Sequence, residues 1–274
     1  MQSIVAYFGS IPSSHRALIL AGGIAVFWLW ETAAPLFRFR YVKWQHAAIN
    51  IFFTLTTIVV NFALAFILLM ASEWVGREEV GVLFLLPVMP LWATMLVGLL
   101  LLDLVGAWLA HWVEHRTPLL WRLHLIHHSD PHIDTTTANR HHPGESVVRF
   151  IFTTLGVIVV GAPMWMVFLY QSMSVVLSQF NHANIGLPRA LDRALSWVIV
   201  TPDMHHVHHH YVLPYTDSNY GNLFSVWDRL FGTYMSMERA QLVYGVDTHM
   251  DVKEHGSVGA LLTMPFRLYE KPKT

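Results

Sequence analysis

Histidine is the residue through which this chain can do chemistry: there are 18 in 274 residues, and most fall into short blocks. The first block reads His111-Trp-Val-Glu-His115, the second His124-Leu-Ile-His127-His128 and the third His205-His-Val-His208-His209. On a helix, positions i, i+3 and i+4 share one face, so each block presents two or three imidazoles to the same point in space. Three such faces could enclose more than one metal ion. A lone histidine beside apolar residues is ordinarily a satisfied interior side chain, but three blocks with ligand spacing in one chain point to a metal site. Imidazole suits iron, copper, nickel and zinc alike, so the spacing names a site and not the metal.

The elements that must position these blocks are read from composition. Apolar residues make up 54% of the chain and charged residues 13%, about half the charged fraction of an ordinary soluble domain, which predicts an all-α integral membrane protein. A net charge of −1 argues against nucleic-acid binding, which needs a basic face. The absence of cysteine excludes disulfides, iron–sulfur clusters and thiolate zinc sites. Residues 1–14 lack the basic start and cleavage site of a secretory signal peptide, so the first apolar stretch is expected to be retained as an anchor. Apolar runs cover residues 17–30, 47–70, 80–110 and 147–180, each near or above the length that crosses a hydrocarbon core. The last carries Gly161-Ala-Pro163 at its centre and is expected to turn back as a helical hairpin. Four to five membrane helices result, with the end of the third run, holding His111 and His115, projecting beyond the lipid.

Charge places the histidines on one side. Arg38, Arg40 and Lys43 lie between the first two runs, whereas Glu73, Glu78 and Glu79, with only Arg77, lie between the second and third. By the positive-inside rule the former connection is cytoplasmic and the latter faces out. The third run then exits on the cytoplasmic side, where Arg116 and Arg122 follow; the hairpin returns the chain to Arg189 and Arg193. Arg16 stands against this orientation. The expectation is one domain over residues 1–274, with anchor helices within 17–110 and 147–180 and a cytosolic histidine-rich helical cap built from 111–146 and 182–235.

The chain resembles the fatty acid hydroxylase and sterol desaturase superfamily of integral membrane histidine-box di-iron enzymes. The matching residues are Asp103, His111 with His115, His124-Leu-Ile-His-His128-Ser-Asp130, Asn139-Arg-His-His-Pro143, Gln179-Phe-Asn-His-Ala-Asn184, Thr201-Pro-Asp-Met-His205 with His208 and His209, Asn219-Tyr-Gly-Asn222, and Trp227-Asp-Arg-Leu-Phe-Gly-Thr233. They run over nearly half the chain and are specific in combination. The resemblance implies metal ligands at His111, His115, His124, His127, His128, His205, His208 and His209, with His182 as a further one. His142 matches a histidine of the family's Arg-x-His-Pro motif and is held as a weak ligand or one that lies behind the ligands. There are departures: His206 and His210 over-supply the third block and leave its register ambiguous, and Ser178 stands where some relatives carry another histidine.

The residues agree with the resemblance. Soluble di-iron bundles use Glu-x-x-His pairs, and none occurs here; neutral imidazoles instead leave more positive charge on the irons. Asp103, two turns before His111 within an apolar helix, is costly there and is expected to accept an N–H from a ligand histidine, the rival reading being a helix-pairing aspartate. Glu114 is expected to point away from the ligands. Asp130, Asn219 and Asp228 fit roles in cap packing or behind the ligands, and Trp227 and Phe231 fit packing of the cap onto the bilayer. His142-Pro-Gly-Glu145 is similar to the haem-binding motif of cytochrome b5, but no separate domain fits around it.

The resulting expectation is an O₂-dependent oxidoreductase with two iron ions that hydroxylates or desaturates a C–H bond of a lipid, sterol or fatty acyl substrate drawn from the bilayer. Electrons would come from a separate donor of cytochrome b5, ferredoxin or reductase type, and zinc could occupy the site in purified protein. Two rivals are a membrane metal transporter or metal-binding protein without redox activity, with histidines at the mid-plane, and a membrane haem protein.

Overall fold

Segments with no water to satisfy their backbone must bond internally, which makes helices of the long apolar runs. The computed structural model describes residues 1–267, and among them every regular element is helical. A short α1 (Gln2–Gly9) precedes α2 (Ser13–Ala33) and the 36-residue α3 (Lys43–Glu78). Among the described residues, four helical segments are long and apolar enough to cross a membrane: Ser13–Ala33, Lys43–Leu85, Leu91–Arg116 and Pro143–Val160. The chain is a multi-pass membrane protein. Phe62, Phe66 and Val59 stand fully out from α3, as side chains that face hydrocarbon do.

The run at 80–110 is not one helix. Val82–Leu85 forms a short turn of helix, Pro87 and Pro90 interrupt the backbone, and the long helix α4 (Leu91–Arg116) begins after them. Proline lacks the donor a helix interior needs and pushes its preceding residue to extended backbone. Within α4, residues Leu104–Leu109 adopt a π-helical stretch, a feature that often marks functional sites. The run at 147–180 does reverse: α6 (Pro143–Val160) ends at Gly161, and α7 (Met164–His182) returns. Gly161 has φ +74, and a Cβ there would lie 2.6 Å from the Val80 carbonyl oxygen, so the turn admits only glycine. Leu99, Leu102, Phe150, Val157, Met166 and Tyr170 form the core between α4, α6 and α7.

At one end of these helices sit α5 (Pro118–His128), α8 (Arg189–Leu195), α9 (Pro202–His208) and α10 (Val226–Leu230). The chain beyond residue 235 folds onto the same end. Val246, Leu261 and Met264 pack against Trp121, Leu125 and Ile126 of α5, and Arg140, fully buried, donates to Ile126 O at 3.0 Å and to Asn50 Oδ1 at 3.1 Å.

Candidate metal centre

The histidine blocks converge. His111, His115, His124, His128 and His208 form one buried group and His127, His182, His205 and His209 another, the donor atoms of each lying within 4.8 Å of one another. The helical register divides the blocks. In α5 the i, i+4 pair His124 and His128 faces the first group while His127 faces the second; in the third block His205 and His209 face the second group while His208 faces the first. Each of these two segments therefore serves both groups, and α4 and α7 contribute to one each.

Behind most of the rings stands a hydrogen-bond acceptor. His111 Nδ1 donates to Tyr220 O at 2.9 Å, His182 Nδ1 to Ser178 O at 2.7 Å and His208 Nδ1 to Ser218 O at 2.6 Å. His115 Nδ1 donates to Asp217 at 3.1 Å and His124 Nδ1 to Glu145 at 2.7 Å. With Nδ1 protonated, a neutral ring turns a bare lone pair inward from Nε2. The inward Nε2 atoms approach closely: those of His111 and His124, both fixed as acceptors, are 3.0 Å apart, and those of His127 and His182 are 3.1 Å, His182 and His205 3.0 Å, and His205 and His209 3.2 Å apart. Nε2 of His115 and of His208, and both nitrogens of His128, are buried without a hydrogen-bond partner. Inward lone pairs at such distances repel unless a cation sits between them. The donor set therefore fits two imidazole-bound metal ions, each held by bonds of about 2.0–2.1 Å for an ion such as zinc.

Protonation is suppressed. Burial first, and then the neighbouring imidazoles, hold His127, His128, His205, His208 and His209 well below the ordinary histidine value. For His124 burial outweighs the pull of Glu145 and lowers it to about 3. Neutral imidazole is the form that binds metal.

Around the histidines the structure corrects several expectations. Asp103 accepts no histidine N–H: its buried carboxylate takes the backbone N–H groups of Leu223 (3.2 Å) and Phe224 (3.0 Å), the indole of Trp227 (3.2 Å) and the hydroxyl of Tyr170 (3.3 Å). It ties the loop at 222–227 to α4, because an ion inside an apolar helix gathers whatever donors are near. Trp227 is accordingly buried instead of resting on lipid, whereas Phe231 is half exposed and packs on Trp108 with centroids 4.5 Å apart. Glu114 does not point away; it is buried, pairs with Arg149 at 2.8 Å and stands 3.9 Å from His124 Nδ1. His142 joins neither group and caps α6 by accepting from Gly144 N at 3.0 Å.

The register of the third block is resolved as well. His206 bonds the Tyr244 hydroxyl at 3.0 Å and His210 accepts from Val243 N at 3.2 Å, which leaves His205, His208 and His209 inward. Asp228 accepts from Tyr220 N, Gly221 N and Trp108 Nε1 at 2.8 to 2.9 Å, holding the loop whose Tyr220 carbonyl orients His111. Asn219, at φ +49, bonds Met204 O at 2.8 Å. Asp130 would be raised by burial, but His46 and Arg140 beside it hold it well below the usual carboxylate range.

The sequence reading does not reach His141, Glu145 and Arg149 as site residues. A signal was present in the i, i+4 spacing of His141 and Glu145, and of Glu145 and Arg149, at the start of α6. Between the two groups lies a cavity of about 30 Å³ lined in part by His111, His127, His182, His205, Arg149 and Asn222, room for one or two water-sized molecules.

The family model described as fatty acid hydroxylase matches residues 95–233, a span that holds every histidine of both groups. An ornithine lipid hydroxylase of Rhizobium tropici is 25% identical over 150 residues, covering 55% of this chain and 44% of that protein. An alkylglycerol monooxygenase of Xenopus tropicalis is 29% identical over 161 residues, 53% of this chain and 31% of that protein. A cholesterol 25-hydroxylase-like protein of Danio rerio is 27% identical over 124 residues, 45% of this chain and 48% of that protein. The chain thus spans under half the length of these curated relatives. No solved structure matches it.

Proposed function

The chain belongs to the fatty acid hydroxylase family, and from that premise we propose that it is an O₂-dependent di-iron enzyme that hydroxylates a C–H bond of a membrane lipid. The observation that carries the reading is the pair of convergent histidine groups, five and four strong, with acceptors behind five of the rings. Each group would hold one iron, His111, His115, His124, His128 and His208 the first and His127, His182, His205 and His209 the second. Bound iron would supply the activation of O₂ and the removal of hydrogen. The balance is R–H + O₂ + 2 e⁻ + 2 H⁺ → R–OH + H₂O, and the electrons come from a separate donor protein of cytochrome b5, ferredoxin or reductase type.

The protein's own contribution is positioning and exclusion of water. Five of the nine imidazoles are fixed from behind by an acceptor on Nδ1, which limits their reorganisation on binding. The cavity between the groups is too small for an acyl chain, so the lipid tail reaches it only by parting the side chains that line it, which admits one carbon and little water. Hydroxylation is preferred to desaturation because the relatives bear the names of hydroxylases and monooxygenases; their lipids, an ornithine lipid, an alkylglycerol and a sterol, mark the range of substrates to try.

Sidedness follows from charge. Lys43 begins α3 and Glu78 ends it, while His111 and His115 stand at the far end of α4, the end that returns to Lys43. The positive-inside rule puts that end, and the cap, in the cytoplasm. A transporter would carry its histidines midway along broken helices; here the two groups lie at helix ends and in the connections between them.

The test is to express the chain in cells supplied with ¹⁸O₂ and compare their lipids by mass spectrometry with those of cells carrying His208→Ala. One ¹⁸O atom in a lipid hydroxyl, absent from the variant, is the expected result. Iron-loaded protein that, given electrons, oxygenates no sterol, fatty acyl or ether lipid would contradict the reading.

A further inference from the structure

The geometry points to Glu145 as a positioning residue that serves both histidine groups from behind, a role that rests on the di-iron reading above. The segment His142-Pro-Gly-Glu145 is the start of a helix. His142 caps it, Pro143 takes the first helical position, where a missing N–H costs nothing, and a Cβ on Gly144 would lie 3.2 Å from the Leu123 side chain. α6 can therefore begin hard against α5, and its first turn delivers Glu145 into the cap.

There Glu145 is fully buried. Its Oε1 atom accepts from His124 Nδ1 at 2.7 Å and Arg149 Nε at 2.9 Å, and His141 Nδ1 stands 2.7 Å from it as a close polar contact without hydrogen-bond alignment. His124 belongs to the five-histidine group. His141 stacks on His127 of the four-histidine group, with ring centroids 4.9 Å apart and planes 25° from parallel. The second nitrogen of His141 faces the Ala138 carbonyl at 3.2 Å; His141 lies with His124 and Glu145 in a third, smaller set of possible metal donors, and its ring lies against His127 as a buttress. One carboxylate oxygen thus fixes a ring of the first group directly and supports a ring of the second through His141.

A carboxylate behind Nδ1 sets the tautomer of the ring and makes its other nitrogen a stronger donor to a cation. The acceptors behind His111, His182 and His208 are neutral carbonyls, and Asp217 behind His115 is partly open to solvent. Glu145 is the acceptor whose charge is fully buried. Glu114 supplies the control. Its Oε2 lies 3.9 Å from the same His124 Nδ1, beyond hydrogen-bond reach, so Glu114→Gln alters a carboxyl of the same buried cluster and its 2.8 Å pair with Arg149 without touching the hydrogen bond to His124. Glu145→Gln removes the charge from the bond itself.

The experiment uses the full chain purified in detergent and loaded with iron-57, with iron per chain followed through a chelator titration and by Mössbauer spectroscopy. Glu145→Gln is expected to weaken iron retention on the order of 10 to 100-fold, the scale of losses behind a metal ligand, with an altered iron signal, while Glu114→Gln stays near wild type. If Glu145→Gln does not accumulate as folded protein, Glu145→Asp, which keeps the charge but withdraws it by one methylene, takes its place with the same expected loss. Equal losses in the Glu114 and Glu145 variants, or wild-type retention by the Glu145 variant, would overturn the role while leaving the di-iron reading intact. Wild-type protein that binds no iron would overturn that reading and this role with it.

Discussion

The Nε2 atoms of His111 and His124 lie 3.0 Å apart, with Tyr220 O and Glu145 behind their Nδ1 atoms, so two lone pairs face each other across a gap that only a cation makes stable. The first expected outcome concerns stability. Stripping metal with a chelator should lower the thermal midpoint of the detergent-solubilised protein, and restoring iron should return it. Binding to the folded state alone contributes about 2.7 kcal/mol when free metal is 100 times its dissociation constant. An unchanged midpoint on stripping would argue against a bound ion.

His127 and His208 come from different helices and serve different groups. Replacing either by Ala is expected to abolish lipid oxidation while the protein still inserts and elutes as a single species. Activity near wild type in His208→Ala would count heavily against the site.

Asp103 gathers four donors from three segments. Asp103→Asn turns one of its two acceptor oxygens into a donor that faces other donors, at about 1–3 kcal/mol for each buried group left unsatisfied. The expected result is a lower midpoint in the metal-free protein as well as in the loaded one. A loss confined to metal affinity would instead return Asp103 to a place behind a ligand histidine.

Arg140 is fully buried and holds Ile126 O, Asn50 and, at 3.7 Å, Asp130. Arg140→Met should lower stability by about 1–3 kcal/mol for each buried acceptor it leaves unpaired, Ile126 O and Asn50 Oδ1, while Asp130 keeps His46 at 2.8 Å. Arg140→Lys, which lacks the planar fork, should recover only part of it. Denaturant or thermal unfolding of the three proteins side by side measures the difference.

Much of the fold was legible because membrane helices declare themselves by length and apolar composition, and Gly161 with Pro163 marked the reversal of the 147–180 run. The break at Pro87 and Pro90 was legible in principle, but a long apolar run masked it. Eight of the nine inward histidines stood out through helical spacing, and the family resemblance added the ninth, His182, which belongs to no block. Their division into two groups was not legible, since it depends on how α5 and α9 are rotated against α4 and α7. The partners of Asp103, and the pairing of Glu145 with His124, were hidden for a similar reason: these are backbone groups and side chains brought from 21 to 124 residues away, and sequence spacing records only neighbours on the same helix.

The most direct measurement of the central claim is metal content with Mössbauer spectra, on protein purified anaerobically in detergent from iron-57-supplemented cells. Two irons per chain in a coupled centre is the predicted result. A firm absence of iron, with another metal bound under iron-replete conditions, would contradict the account and turn attention to metal transport or storage.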